Sequence, residues 1–302
     1  MTDLAQTLAE RPVVLDGGLA TQLEAQGHDL GSALWSARLL VQDPRAIVDA
    51  HRAYLAAGAE VVTTASYQAS IDGFAAAGID RSRAERLVGD SVRLARRAAE
   101  EAGGARWVAG SVGPFGASLA DGSEYRGDYD LSVAELRAWH RPRIAWLVEA
   151  GADVLALETI PALAEVEALL AEIDGSGVPV WLSLTCAGER TRAGEPAGTA
   201  YAMAASVSEV LAVGVNCSDP ADVDRLVPLA AATGRPVVAY PNSGEGWDAT
   251  DRRWVGGTAF TPGMVHGWMA AGARLVGGCC RVGPAQIAAV ADLVSGAGRP
   301  LR

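Results

Sequence analysis

Eight short runs rich in β-branched residues recur along the chain, at 12–16, 60–66, 106–112, 153–159, 179–186, 212–217, 236–240 and 273–278. Each is almost continuously apolar instead of alternating, which is the pattern of parallel strands buried on both faces. Helical patterns fill the intervals, at 44–57, 83–102, 132–150, 162–173, 220–232, 262–271 and 284–294, with a shorter one at 200–208. Pro44, Pro161, Pro220, Pro262 and Pro284 stand at or near helix starts, where a missing N–H costs little. Gly58, Gly103, Gly151 and Gly272 follow helix ends, where a left-handed cap is needed. Eight strands alternating with eight helices predict an α/β fold, a single-domain (β/α)8 TIM barrel over residues 1–302. An open doubly wound sheet is the alternative. It is disfavoured because no Gly-x-Gly-x-x-Gly opens a helix after the first strand.

The links from helix to strand are short, whereas several links from strand to helix are long, at 17–43, 113–131 and 241–261. In a barrel the long links gather at the C-terminal ends of the strands and build the active site there. Chemistry is therefore expected among residues that end strands.

Composition removes several classes of function. A formal charge of −11 argues against nucleic acid or an anionic membrane as the main partner. All 25 basic residues are Arg, so no mechanism that needs a lysine amine is open to this chain. No run of about 18 apolar residues suggests a membrane span, and the acidic start MTDLAQTLAERP does not read as a secretory signal. A cytoplasmic protein is expected.

Three of the four cysteines end predicted strands: Cys217 closes GVNC, and Cys279 and Cys280 close GGCC. Adjacent side chains on a regular strand point to opposite faces, so Cys279 and Cys280 can share one metal only if the strand breaks there. Gly277 and Gly278 permit such a break. Three thiolates suit a soft or borderline metal, Zn2+ foremost, and three protein ligands with an empty fourth position describe a catalytic zinc. The alternatives are buried structural thiols or a vicinal Cys279–Cys280 disulfide. Cys186, at the end of predicted strand five, would close the site if it were a fourth ligand. His28, His51, His140 and His266 show no metal-ligand spacing.

Asp16 ends the first strand in LDGG and Glu158 the fourth in LETIP. Acids in apolar surroundings at a barrel mouth need a cationic partner or hydrogen-bond donors. A substrate ammonium is one such partner, and the N–H groups of Gly17 and Gly18 are placed to hold a substrate carboxylate. Pairing with an Arg or a helix N-terminus is the alternative. Trp35, Tyr67 and Phe115 lie in or beside strand-end loops, where aromatic faces hold a cationic methyl donor or simply pack.

Taken together, LDGG, TASYQAS, GSVGPFGA, ETIP, GVNCS, YPNSGEGWD and GGCCR resemble the homocysteine S-methyltransferases over the whole chain. YPNSGE resembles the short, cobalamin-independent branch that uses S-methylmethionine or S-adenosylmethionine. The resemblance implies that Cys217, Cys279 and Cys280 ligate zinc and that Asp16 and Glu158 hold the homocysteine ammonium. It implies that the Thr64 hydroxyl contacts the amino acid and that Trp35 lines the donor side. Gln68 stands where betaine-using relatives carry an aromatic, which favours a sulfonium donor. The reaction implied is methyl transfer to the homocysteine sulfur, giving methionine. A monomer or weak homodimer is expected. Two other readings compete: a barrel with a structural or storage Cys zinc, and a module dependent on a corrinoid partner.

Overall fold

A computed structural model describes residues 3–29, 38–248 and 253–297. Its main sheet has eight parallel strands: β1 (Val13–Val14), β2 (Val61–Thr63), β3 (Trp107–Val112), β4 (Val154–Ile160), β5 (Val180–Leu184), β6 (Val210–Asn216), β7 (Val237–Tyr240) and β8 (Ala273–Val276). They pair in the order β1-β8-β7-β6-β5-β4-β3-β2. A parallel bridge from Leu15 to Val61 closes the ring, with Asp16 N donating to Val61 O at 3.0 Å and Glu60 N to Val14 O at 2.8 Å. The expected (β/α)8 barrel is what forms.

Outside the strands lie α1 (Pro44–Ala56), α2 (Arg81–Ala102), α3 (Val133–Glu149), α4 (Leu163–Ile173), α5 (Ala197–Ala205), α6 (Pro220–Ala231), α7 (Met264–Ala270) and α8 (Pro284–Ala297). Their starts follow from local chemistry. Asp43 and Asp219 cap α1 and α6 with Pro at the first helical position, and Ser132 with Glu135 forms a capping box on α3. The four expected capping glycines after α1, α2, α3 and α7 all have positive φ.

Alternation along the strands divides the core in two. Val13, Leu15, Val61, Trp107, Ala109, Val154, Ala156, Trp181, Ala212, Val238 and Leu275 fill the barrel interior. Their neighbours, among them Val14, Val62, Val108, Leu155, Leu157, Leu182, Val213 and Val276, pack against the helices. Both faces are buried, which is why the runs read as continuously apolar. Truncating one such residue, as in Leu155→Ala, costs about 2–5 kcal/mol. Leu4 and Leu8, from the helix Leu4–Glu10, join the interior cluster and cover its N-terminal end.

The pattern did not reveal the shorter elements. These are the helices Leu4–Glu10, Leu19–Ala25, Leu39–Gln42 and Ile71–Ala76, and the 3-10 turns Phe115–Leu119 and Ser123–Tyr125. Two hairpins were also missed: Cys186–Ala187 with Arg190–Thr191, and Gly246–Asp248 with Arg253–Val255. The fifth strand is shorter than expected. It leaves the sheet after Leu184, and Cys186 pairs antiparallel with Thr191 instead. Among the described residues no helix is long and apolar enough to cross a membrane.

Candidate functional site

The barrel interior changes character toward the C-terminal ends of the strands. Continuing the inward register of each strand gives Thr63, Ser111, Glu158, Ser183, Asn216 and Tyr240. This polar layer sits on the apolar one, and its members bond to one another. Glu158 receives the Ser111 hydroxyl on Oε1 and the Tyr240 hydroxyl on Oε2, the latter at 3.0 Å. Tyr240 is held in turn by Trp181 Nε1 at 3.1 Å and by Ser183 at 2.7 Å. Asp16 receives the Thr63 N–H on Oδ2 at 2.7 Å and the Thr63 hydroxyl on Oδ1 at 3.0 Å.

Both acids are buried, at 4% and 7% exposure, and neither has an ion pair among the described residues. Burial pushes Asp16 up to about 8, against the lowering effect of the Thr63 donors. It pushes Glu158 up to about 7, against those of Ser111 and Tyr240. Hydrogen bonds thus fix the carboxylates in place while their charge is left without a counter-ion.

Backbone irregularities aim the strand ends. Thr159 and Cys217 have φ of 62° and 46°, a region that costs a β-branched residue like Thr159 most. The pairing of β4 with β5 shifts register between Leu157 and Ile160, a bulge at Glu158 and Thr159. Asn216 holds this strain: its Oδ1 accepts from Thr159 N and its Nδ2 donates to Thr159 Oγ1, both at 2.7 Å. One side chain therefore ties the residue after Glu158 to the residue before Cys217.

Cys217, Cys279 and Cys280 converge. Their sulfurs lie within 4.8 Å of one another, with Cys217 and Cys280 at 3.9 Å. Cys279 and Cys280 follow the end of β8, so strand alternation no longer applies to them. Gly278 makes this turn possible because a Cβ there would meet Val282 at 2.2 Å. Cys279 N donates to Pro241 O at 2.7 Å, Cys280 N to Asn242 Oδ1 at 3.1 Å, and Cys217 N to Tyr240 O at 3.3 Å. The three thiols share charge unequally. Hydrogen bonding to Cys217 and Cys280 pushes Cys279 well up, whereas bonds accepted from Cys217 and Cys279 pull Cys280 well down. The donor set fits zinc: a tetrahedral ion with Zn–S near 2.3 Å places its sulfurs roughly 3.8 Å apart.

The remaining expected residues fall as follows. Thr64 is buried; its hydroxyl accepts from Ser111 N at 2.9 Å and bonds Ser66 Oγ at 2.7 Å. The neighbouring Thr63 is the one that holds Asp16. Gly18 N donates to Val282 O at 3.0 Å, so that N–H is already engaged. Gly17 and Gly18 are required for close packing, since a Cβ would meet Val282 O at 2.3 Å and Cys279 O at 2.6 Å respectively. The first strand-to-helix turn thereby touches the turn that carries the cysteine pair. Trp35 lies outside the described residues. Phe115 packs edge-on against Tyr129 and Trp139, at 5.3 and 5.2 Å. Tyr67 lies near Cys217 and Thr159, and burial pushes its hydroxyl well up. Cys186 is buried among the outer core residues and is not one of the three clustered thiols; burial pushes its thiol up to about 12.

Sequence reasoning missed Thr63, Ser111, Asn216 and Tyr240. Their signal was available, as polar residues on the inward register of strands that are otherwise apolar. It also missed Arg143 of α3. This buried guanidinium donates to the carbonyls of Tyr67, Ala69 and Gly113 and so clasps the loops after β2 and β3. His140 and Glu165 continue that network, and Glu165 accepts from Phe115 N at 2.6 Å.

Residues 13–294 match the family described as Homocysteine S-methyltransferase. The Homocysteine S-methyltransferase of Escherichia coli (strain K12) is 45% identical over 290 residues, covering 92% of this chain and 94% of that protein. Homocysteine S-methyltransferase YbgG of Bacillus subtilis (strain 168) is 40% identical, covering 92% and 93%. Among solved structures, the metallated form of the homocysteine methyltransferase MmuM from Escherichia coli superposes with a TM-score of 0.84 at 42% identity, covering 93% of this chain and 96% of that one. Its oxidized form gives 0.87 at 41% identity, with 97% and 100% covered. With the barrel, the three converging thiols and these likenesses in hand, the chain belongs to the homocysteine S-methyltransferase family.

Proposed function

We propose that this chain transfers a methyl group from a sulfonium donor, S-methylmethionine or S-adenosylmethionine, to the sulfur of L-homocysteine, giving methionine. The observation that carries this reading is the convergence of three thiols near two buried acids that have no ion pair among the described residues. Zn2+ is the proposed cofactor, with Cys217, Cys279 and Cys280 as its ligands. When bound, it supplies a Lewis acid with an open position, which lowers the pKa of a substrate thiol at neutral pH.

The chain's own residues do the rest. Asp16 and Glu158 take the acceptor's ammonium, and their existing hydrogen bonds hold them in the receiving position. Gly17 N–H and the Thr64 hydroxyl lie on the acceptor's side as further contacts. Trp35 is assigned to the donor side. The acceptor sulfur attacks the donor methyl in line. One carbon–sulfur bond forms as the bond to the sulfonium breaks, its electron pair leaves on a neutral thioether, and the thiol proton passes to solvent. No protein acid or base acts on the methyl. Catalysis on this reading comes from orientation and exclusion of water. Residues 1–302 act as one barrel unit in the cytoplasm, as a monomer or weak homodimer, which light scattering tests.

The functional test is methionine formation by the reduced, zinc-loaded protein offered S-methylmethionine, S-adenosylmethionine and betaine in parallel. Methionine from one sulfonium, lost on chelation, supports the proposal and names the donor. Bound zinc with no methionine from any donor overturns it.

A further inference from the structure

The loop after β3 carries an acid that the acceptor site does not use. Glu124 lies in the turn Ser123–Tyr125, and its Oε2 is buried without a hydrogen-bond partner. The turn is seated firmly. A Cβ on Gly116 would meet Glu124 N at 2.5 Å, and one on Gly127 would meet Pro161 O, beyond the end of β4, at 3.0 Å. Glu124 is close enough to Cys217 and Cys280 for their charges to interact.

Its neighbour Tyr125 faces a cation. The Arg192 guanidinium lies 5.4 Å from the Tyr125 ring centroid. Arg192 Nε donates to Thr185 Oγ1 at 3.3 Å, and that hydroxyl donates to Cys217 O at 3.2 Å. Arg192 has no ion pair among the described residues. A half-buried carboxylate with one buried, unpartnered oxygen, an aromatic face and a guanidinium with no ion pair among the described residues therefore stand near the thiols.

We propose that Glu124 and Arg192 are specificity-determining residues for the methyl donor: Glu124 takes the donor's α-ammonium and Arg192 its α-carboxylate. This inference rests on the transferase reading above. It divides the carboxylates of the mouth by substrate, with Asp16 and Glu158 for the acceptor and Glu124 for the donor. Anchoring both ends of the donor's amino-acid part leaves its sulfonium to lie over the thiols. The chemical class selected is a sulfonium that is also an α-amino acid.

Two donors separate the anchors. S-Methylmethionine has ammonium and carboxylate, whereas dimethylsulfoniopropionate has the carboxylate alone. Glu124→Gln is expected to lower kcat/KM for S-methylmethionine roughly 10- to 100-fold, the scale of one charged hydrogen bond. It should leave dimethylsulfoniopropionate within about twofold and the KM for homocysteine unchanged. Arg192→Gln should weaken both donors together by about tenfold. Equal loss for both donors in Glu124→Gln, a changed homocysteine KM, or no change at all would overturn the assignment. Calorimetric binding of S-methylmethionine to the reduced, metal-free protein asks the same question without turnover. Binding weakened about tenfold or more by Glu124→Gln supports the anchor, and unaltered binding defeats it. Should the wild type bind S-methylmethionine but make no methionine, the transferase reading fails while the calorimetry still decides the fate of Glu124.

Discussion

At the N-terminal mouth of the barrel, Arg11 grips Glu60 with two hydrogen bonds of 2.9 and 2.7 Å. A cleft of about 800 Å3 opens there, lined by Glu10, Arg11, Glu60, Arg106 and Arg274 among others. At the C-terminal mouth, Asp16 and Glu158 are more deeply buried, and neither has an ion pair among the described residues. At the N-terminal mouth the protein thus supplies its own counter-ion to Glu60. The other mouth keeps two acids whose ionisation burial opposes, and three thiols that crowd one another. Charge left unbalanced at a cost to the fold marks where a ligand completes the structure.

The largest effect is expected at the thiols. Cys217→Ser should remove bound zinc and lower methionine formation by more than about 1000-fold, since a site that loses a ligand loses its metal. Circular dichroism should show the barrel intact. Full zinc content in this variant would refute the proposed ligand set.

At the acids the expected effects run in opposite directions. Asp16→Asn and Glu158→Gln should each lower kcat/KM for homocysteine roughly 10- to 100-fold by removing a charged partner. Each should also raise thermal stability. Both acids have folded-state pKa values, about 8 and about 7, above those of an unfolded carboxyl. Stability they contribute is fully present below about pH 4 and is lost as pH rises through 7 to 8. Removing the charge should therefore raise Tm more at pH 8 than at pH 5. A fall in Tm at pH 8 would show that the hydrogen bonds outweigh the buried charge.

The same values set a pH dependence for the acceptor. The affinity for methionine, a thiol-free probe of the ammonium site, should rise as pH increases from 6 through 8 and both acids ionise. A flat profile would remove the acids from amino-acid binding. Asn216→Ala probes the tie between the two halves of this mouth. It should cost roughly 1–3 kcal/mol, because it leaves buried Thr159 groups unpaired. It should also weaken zinc and homocysteine binding together.

The N-terminal mouth supplies the smallest expected effect. Arg11→Ala should cost less than about 1 kcal/mol, because Arg11 is 46% exposed in its ion pair. Methionine formation should not change. A large loss of activity would erase the distinction between the mouths.

Much of this site was legible in the sequence because strand registers project side chains predictably. Glu158 follows Val154 and Ala156 on an inward register, and Cys217 closes its own strand. The Gly-Gly before the cysteine pair correctly signalled that the strand stops. Thr63 was overlooked because only the inward register shared with Val61 shows that its side chain reaches Asp16. Cys186 also looked like a strand-end residue, yet the chain leaves the sheet at Leu184 and turns it outward. Arg143 and Glu124 were illegible for another reason. One sits on a helix and the other in a loop, and only tertiary folding brings either to the mouth.

On the proposed function, the C-terminal mouth offers zinc three protein sulfurs and leaves one position for the acceptor's sulfur. X-ray absorption at the zinc edge, on the reduced protein before and after L-homocysteine is added, counts those sulfurs directly. Three sulfurs are expected without homocysteine and four with it. Four sulfurs before homocysteine is added, or three that remain three afterwards, would contradict this arrangement.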